Sequence, residues 1–177
     1  MACNTSLIGI TKNCDPNLYN SKGMLKLYIC PVEFVTGTTL SGNVTSTGGI
    51  VTAINMSGSA KFTEFVFPKL ACNYTEEGEF EQLSESVQYT QTVTATFPRR
   101  EKAKRQAFVT LTAGLRNLYA IGQDYNGLYW ILGYVNGVNV SGLGGGSETA
   151  IYTLTLTGKE PYQAPEVLDT IISGIIA

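Results

Sequence analysis

Between Ser86 and Phe97 the chain reads SVQYTQTVTATF. Val87, Tyr89, Gln91, Val93, Ala95 and Phe97 alternate with Gln88, Thr90, Thr92, Thr94 and Thr96. A period of two in β-branched and aromatic residues specifies a strand with one apolar face and one hydroxyl-bearing face. Pro98 ends it, because proline cannot donate to a ladder. Over Arg99–Leu115 the period changes to that of a helix, with Ala103, Ala107, Phe108 and Leu111 on one stripe. Gly114 falls where a helix C-cap is expected. With Ala71–Leu83 (ACNYTEEGEFEQL) as the preceding strand, Thr75–Gly114 forms a hairpin that runs into a helix, and the remaining segments have to pack around it.

The charges on this unit are segregated. The preceding strand and its turn carry Glu76, Glu77, Glu79, Glu81 and Glu85. Five carboxylates cannot all be buried, so this strand belongs at a sheet edge or on a solvated face. The helix opens with Arg99, Arg100, Lys102, Lys104 and Arg105. Cations in a first turn oppose the macrodipole, each costing roughly 0.3–1 kcal/mol when exposed, so they call for a partner. These ten residues form the candidate interface.

The flanking segments extend the β reading. Residues 1–23 read as an N-terminal arm, and Met24–Cys30 as a first strand that Pro31 ends or places at an edge. Thr36–Ser59 is rich in Gly, Thr and Ser, with one strand, Ile50–Met56, and loop elsewhere. In Lys61–Phe67, Thr63, Phe65 and Phe67 are expected on the core face, and Phe62, Glu64 and Val66 on the other. Asn117–Tyr134 reads as a hairpin turned at Asp124–Gly127, where Asn-Gly favours positive φ. That turn resembles the start of a calcium loop, but the distal Glu is missing. Gly142–Ser147 (GLGGGS) reads as a flexible linker, with no G-K-[ST] to make it a phosphate cradle. Glu148–Thr157 reads as a last strand that Gly158 breaks, and 159–177, with Pro161 and Pro165, as an extended C-terminal surface arm. The expected architecture is mainly β: one antiparallel β-sandwich or barrel domain over 24–158, of six to eight strands, with one inserted α-helix near 99–115.

Site chemistry is sparse. The 177 residues contain no histidine, which removes the usual general base and the commonest transition-metal ligand. Cys3, Cys14, Cys30 and Cys72 have no C-x-x-C spacing and read as reduced, partly buried thiols. No catalytic residue, cofactor or metal is expected, and the chain is read as a non-enzyme. The N-terminus lacks the basic and apolar regions of a signal peptide, and no stretch reaches the ~20 apolar residues of a membrane span. Synthesis and folding in a cytoplasm are therefore expected, and the five N-x-[ST] triplets at Asn4, Asn43, Asn55, Asn73 and Asn139 read as composition rather than glycan sites. Only 15% of residues are charged and the net charge is −2. No overall field attracts nucleic acid, and a surface this poor in charge suits coverage by partners.

Five segments together carry a resemblance: GEFEQ at Gly78–Gln82, YTQTVTATF at Tyr89–Phe97, the basic helix, DYNGLYWILGYVNGV at Asp124–Val138 and IYTLTLTGKEPYQAPEV at Ile151–Val167. In this order they resemble the tail-tube and tail-ring structural proteins of tailed bacteriophages, especially phages infecting gut Bacteroidetes. The resemblance covers roughly the C-terminal hundred residues. It implies a β-sandwich or barrel with a flanking helix, present in the virion tail and made in the host bacterial cytoplasm. It further implies homo-oligomeric rings, six-fold or twelve-fold, that contact other tail, portal or connector proteins. Their channel passes DNA without sequence-specific binding. The acid block of one subunit is then expected to face the basic block of its neighbour, with some acidic residues facing the lumen. The competing reading is a carbohydrate-binding or adhesin β-sandwich with Tyr125, Tyr129, Trp130 and Tyr134 as an aromatic platform.

Overall fold

The computed structural model describes residues 23–42, 49–81, 86–99, 101–113, 116–146 and 151–176, with the backbone alone at Glu81. Eleven strands form two sheets. The larger sheet contains β1 (Met24–Pro31), β2 (Val35–Ser41), β3 (Ile50–Met56), β4 (Thr63–Val66), β7 (Leu118–Asp124), β8 (Tyr129–Leu132) and β11 (Glu166–Val167). Its order is β2-β3-β11-β8-β7-β1-β4, antiparallel except where β11 runs parallel to β3. The smaller sheet contains β5 (Cys72–Glu81), β6 (Ser86–Pro98), β9 (Asn139–Gly145) and β10 (Ile151–Glu160), in the order β5-β6-β10-β9. Helix α1 (Lys102–Thr112) is inserted between β6 and β7, and α2 (Asp169–Ile175) follows β11. The fold is mainly β and sandwich-like, as expected, but it has eleven strands where six to eight were expected, and α2 is a second helix beside the expected inserted one.

Two apolar layers hold it together. Leu27, Ile29, Ala120 and Leu132 of the larger sheet meet Val93, Ala95, Leu154 and Leu156 of the smaller one. Alternation along the same strands sends Tyr28, Cys30, Ile121 and Ile131 to the opposite face, where Ile172 and Ile175 of α2 cover them. The larger sheet is thus buried on both faces, giving three layers. At one end of the sandwich α1 is anchored by Phe108, whose ring packs edge-on against Phe97 at 4.9 Å and Tyr152 at 5.3 Å.

The alternation of Ser86–Phe97 is observed: Gln91, Val93, Ala95 and Phe97 are buried and Pro98 is the last strand residue. β5 lies at the edge of its sheet, as its carboxylates required. Ile50–Met56 and the Asp124–Gly127 turn also fall as expected, with Gly127 at φ +86°. In that turn Asp124 Oδ1 accepts from the backbone N–H groups of Asn126 (2.8 Å) and Leu128 (2.9 Å).

Several expectations are corrected. Residues 35–41 form strand β2 rather than loop, because pairing with β3 overrides their weak propensity. Gly142–Gly145 are not a linker but part of β9, paired to β10. Gly158 does not break β10, which continues to Glu160. A Cβ there would come within 2.7 Å of the Gly137 carbonyl oxygen, so the glycine permits close approach of the neighbouring turn. Pro31 ends β1, but β1 is an interior strand flanked by β7 and β4. Phe65 and Phe67 face the inter-sheet core, yet Phe62 is also fully buried, in the opposite layer. The helix starts at Lys102 rather than Arg99, which sits at φ +62°, and Ala103 is exposed. Ala113 is the C-cap residue, and Gly114 lies outside the described residues. The segment after Thr157 is not a surface arm. β11 joins the interior of the larger sheet and α2 buries its isoleucines, so residues beyond 158 complete the domain. The expected N-terminal arm, 1–23, lies outside the described residues except for Gly23.

Candidate subunit interface

The antiparallel β5–β6 hairpin pairs Glu76 with Gln91, Glu77 with Thr90, Glu79 with Gln88 and Glu81 with Ser86. Period two therefore separates the acid block. Glu76 points towards the larger sheet, where its Oε1 accepts from Gln91 Nε2 and from Ala164 N, both at 2.8 Å. Glu77 and Glu79 are exposed on the outer face, and Glu79 pairs with Lys159 at 3.3 Å between two well-exposed side chains. Glu85 lies outside the described residues. One member of the expected block is thus a structural group and two are surface charges.

The basic block sits at the other end of β6. Lys104 is held locally: it pairs with Glu101 at 3.6 Å and donates to the carbonyls of Pro98 and Arg99. That arrangement neutralises part of the charge opposing the helix dipole and satisfies carbonyls left by the strand-to-helix turn. Arg99, Lys102 and Arg105 are exposed and form no ion pair among the described residues. Arg100 lies outside them. Glu79, opposite Gln88, and Arg99 are about 35 Å apart along β6, at ~3.3 Å per residue. The described members of the two blocks do not meet within one chain.

Sequence reasoning missed a buried polar network between the sheets. Gln91 is 1% exposed, and its Oε1 accepts from Gly133 N at 3.0 Å. Glu160 is equally buried, with Oε2 accepting from Val135 N at 2.9 Å and Oε1 from Asn136 N at 2.8 Å. Burial holds the Glu160 carboxyl above its ordinary range, and the backbone N–H groups of residues 135–137 pull the other way. These contacts fasten the 133–137 turn to the smaller sheet. The signal for Gln91 was its place in an otherwise apolar face; Glu160 gave none, because the strand was expected to stop before it.

The aromatic hairpin does not form one platform. Tyr129 packs on Tyr28 at 6.3 Å, and the Tyr134 hydroxyl accepts from Thr38 at 3.2 Å, both on the α2 side. Trp130 instead lines a cleft of about 380 Å³ with Met24, Tyr74, Glu76, Asp124 and Gln163. The Tyr74 hydroxyl is buried without a hydrogen-bond partner among the described residues. Burial, with the nearby Glu76 carboxylate second, pushes its pKa up.

Among the described residues no group of three or more Cys, Asp or Glu side chains is placed to hold a metal ion, and no helix is long and apolar enough to cross a membrane. Comparison of the chain with protein-family models, with curated proteins and with solved structures finds no match.

Proposed function

We propose that this protein is a ring-forming structural subunit of a bacteriophage tail, in the tube or in a portal-proximal ring, whose channel passes DNA. The observation that carries this reading is the separation of unlike charge at the two ends of β6: Glu77 and Glu79 at one end, Arg99, Lys102 and Arg105 at the other. Complementary patches that cannot meet in one subunit favour head-to-tail contacts, and these close into rings when the rotation permits. The resemblance of the C-terminal segments to tail-tube and tail-ring proteins supports the same assignment. In this reading the chain acts as scaffold rather than catalyst and needs no cofactor.

The outer face of the smaller sheet suits a DNA channel. Thr75, Thr92, Thr94, Thr153, Thr155 and Thr157 share it, and its one cation among the described residues, Lys159, is paired with Glu79. A face with a single, already paired cation neutralises few phosphates and releases few counterions, so DNA slides rather than sticks.

Native mass in solution followed by negative-stain imaging tests the proposal. Closed rings or stacked tubes with an open centre are expected, weakened by added salt and by Lys102→Glu with Arg105→Glu. A monomer at every concentration overturns it. Tight binding of duplex DNA by the assembled ring at moderate salt overturns the channel-face assignment. The second reading, a carbohydrate-binding module, draws on the Trp130 cleft, and specific glycan binding by the monomer would replace the ring assignment with it.

A further inference from the structure

We infer that Phe80 of one copy seats in the groove between α1 and β9 of the next copy. The inference rests on the ring reading and assigns its contact. Phe80 is 79% exposed although it lies on the core-facing side of β5, in line with Cys72, Tyr74 and Glu76. It is held there by the β6 ladder, opposite Val87, at an end of the hairpin that the larger sheet does not cover. Phe80 borders an open groove with Val87, Asn136 and Pro161 that leaves its ring in water, so it is an uncovered anchor.

A pocket of matching character lies at the other end of the same strand. Val109 of α1 and Leu143 of β9 are both exposed, at 59% and 47%, and face each other across a groove of about 370 Å³. Phe108 and Tyr152 also line it, Gly144 contributes only backbone, and Arg105 stands at its rim. A cavity of ~150 Å³ already accepts a benzene ring, so the groove has room for a phenylalanine side chain. The charges agree with the apolar fit. The end of β5 that carries Phe80 also carries the exposed Glu77 and Glu79 on its outer face, Glu79 paired with Lys159, and the groove is bordered by Arg105 with Lys102 one turn away. Complementary charge steers and registers such a contact.

Phe80 and the groove are about 33 Å apart along β6, counting from Val87 to Phe97 at ~3.3 Å per residue. A subunit therefore cannot fill its own groove. The same contact repeated from copy to copy is heterologous, with one surface donating and a different one accepting.

The test uses the full chain carrying Cys3→Ser and Cys14→Ser, which leaves the buried Cys30 and Cys72 in place. Phe80→Cys and Val109→Cys are added together and the assembled protein is oxidised. A disulfide needs Cα atoms within about 7 Å, so no bond can form within one chain. A ladder of covalent multimers is expected on a non-reducing gel, with neither single variant passing the dimer. In parallel, Phe80→Ser should raise the concentration required for assembly by roughly tenfold or more while leaving the urea midpoint of the monomer unchanged. Rings that form without the ladder, or whose assembly ignores Phe80→Ser, overturn this contact and leave the ring reading standing. The cysteine variant is oxidised above its raised assembly concentration, and a strict monomer of the chain with Phe80 and Val109 intact overturns both.

Discussion

Replacing Gln91 by leucine tests whether the two sheets are fastened by the polar network between them. The side chains are close in volume, so the cavity contribution is small. The lost interactions are specific. Gly133 N–H loses its acceptor in a buried position, which costs about 1–3 kcal/mol, and the Glu76 carboxylate loses a charge-assisted donor worth about 1.5–3 kcal/mol. The weaker contact to the Tyr162 carbonyl at 3.4 Å adds little. Extra apolar burial by leucine returns about 1 kcal/mol. The net loss is about 1.5–5 kcal/mol, a large share of the 5–15 kcal/mol typical of a domain. Urea unfolding followed by tryptophan fluorescence reads this directly, since Trp130 lies two residues from the end of β8. With a slope of ~2 kcal/mol per M, the midpoint should fall by ~0.8–2.5 M. A fall under ~0.3 M at unchanged slope would refute the claim that Gln91 satisfies buried partners.

Three further outcomes follow from the same geometry. Gly158→Ala places a methyl 2.7 Å from the Gly137 oxygen and 2.9 Å from Val138 Cγ1, and should cost about 1–3 kcal/mol, read by calorimetry as a drop in Tm of roughly 3–10 °C. Glu160 binds its proton more tightly in the folded chain than its ordinary value of 4.5 implies. The folded state therefore holds more protons above that value, and the stability this group contributes falls as pH rises through the window up to its raised pKa; Glu160→Gln should flatten that slope in urea midpoints taken across the window. Burial pushes the Cys30 thiol up to about 11 and the Cys72 thiol up to about 12. In the Cys3→Ser, Cys14→Ser chain a thiol reagent should therefore react only as fast as the protein opens, and rapid labelling of the native state would contradict the packing.

How much could be read from the residues depended on whether a segment carries its own pattern. β6 and its helix were legible because Val93, Ala95 and Phe97 bury one face continuously and Pro98 stops the strand. The Asp124–Gly127 turn was legible because an Asx turn with a positive-φ glycine is local chemistry. β2 and β9 were not, because VTGTTLS and NVSGLGG have little to bury and are held by a stronger partner strand. The C-terminal segment was misread for another reason. EV is too short to show a period, and its place between β3 and β8 is set by residues more than thirty positions away. The candidate interface was legible as charge but not as geometry: period two puts Glu76 on the face opposite to Glu77 and Glu79, but only the packing of Gln91 and Ala164 shows that it turns inward and that Phe80 is left uncovered.

The position of β11 sets a timetable for synthesis. The β2–β3 pair joins the rest of its sheet only through β11. The ribosome completes β3 at Met56 and reaches Glu166 only 110 residues later, an interval of roughly 5–20 s at usual elongation rates. Throughout that interval β3 offers an unpaired edge, and β8 offers another once Leu132 has been made. The sheet closes only when the late strand arrives and α2 is laid over Tyr28 and Ile131. β11 and α2, which lock the domain, follow every other described element in the chain, so the domain closes only once that segment has been made.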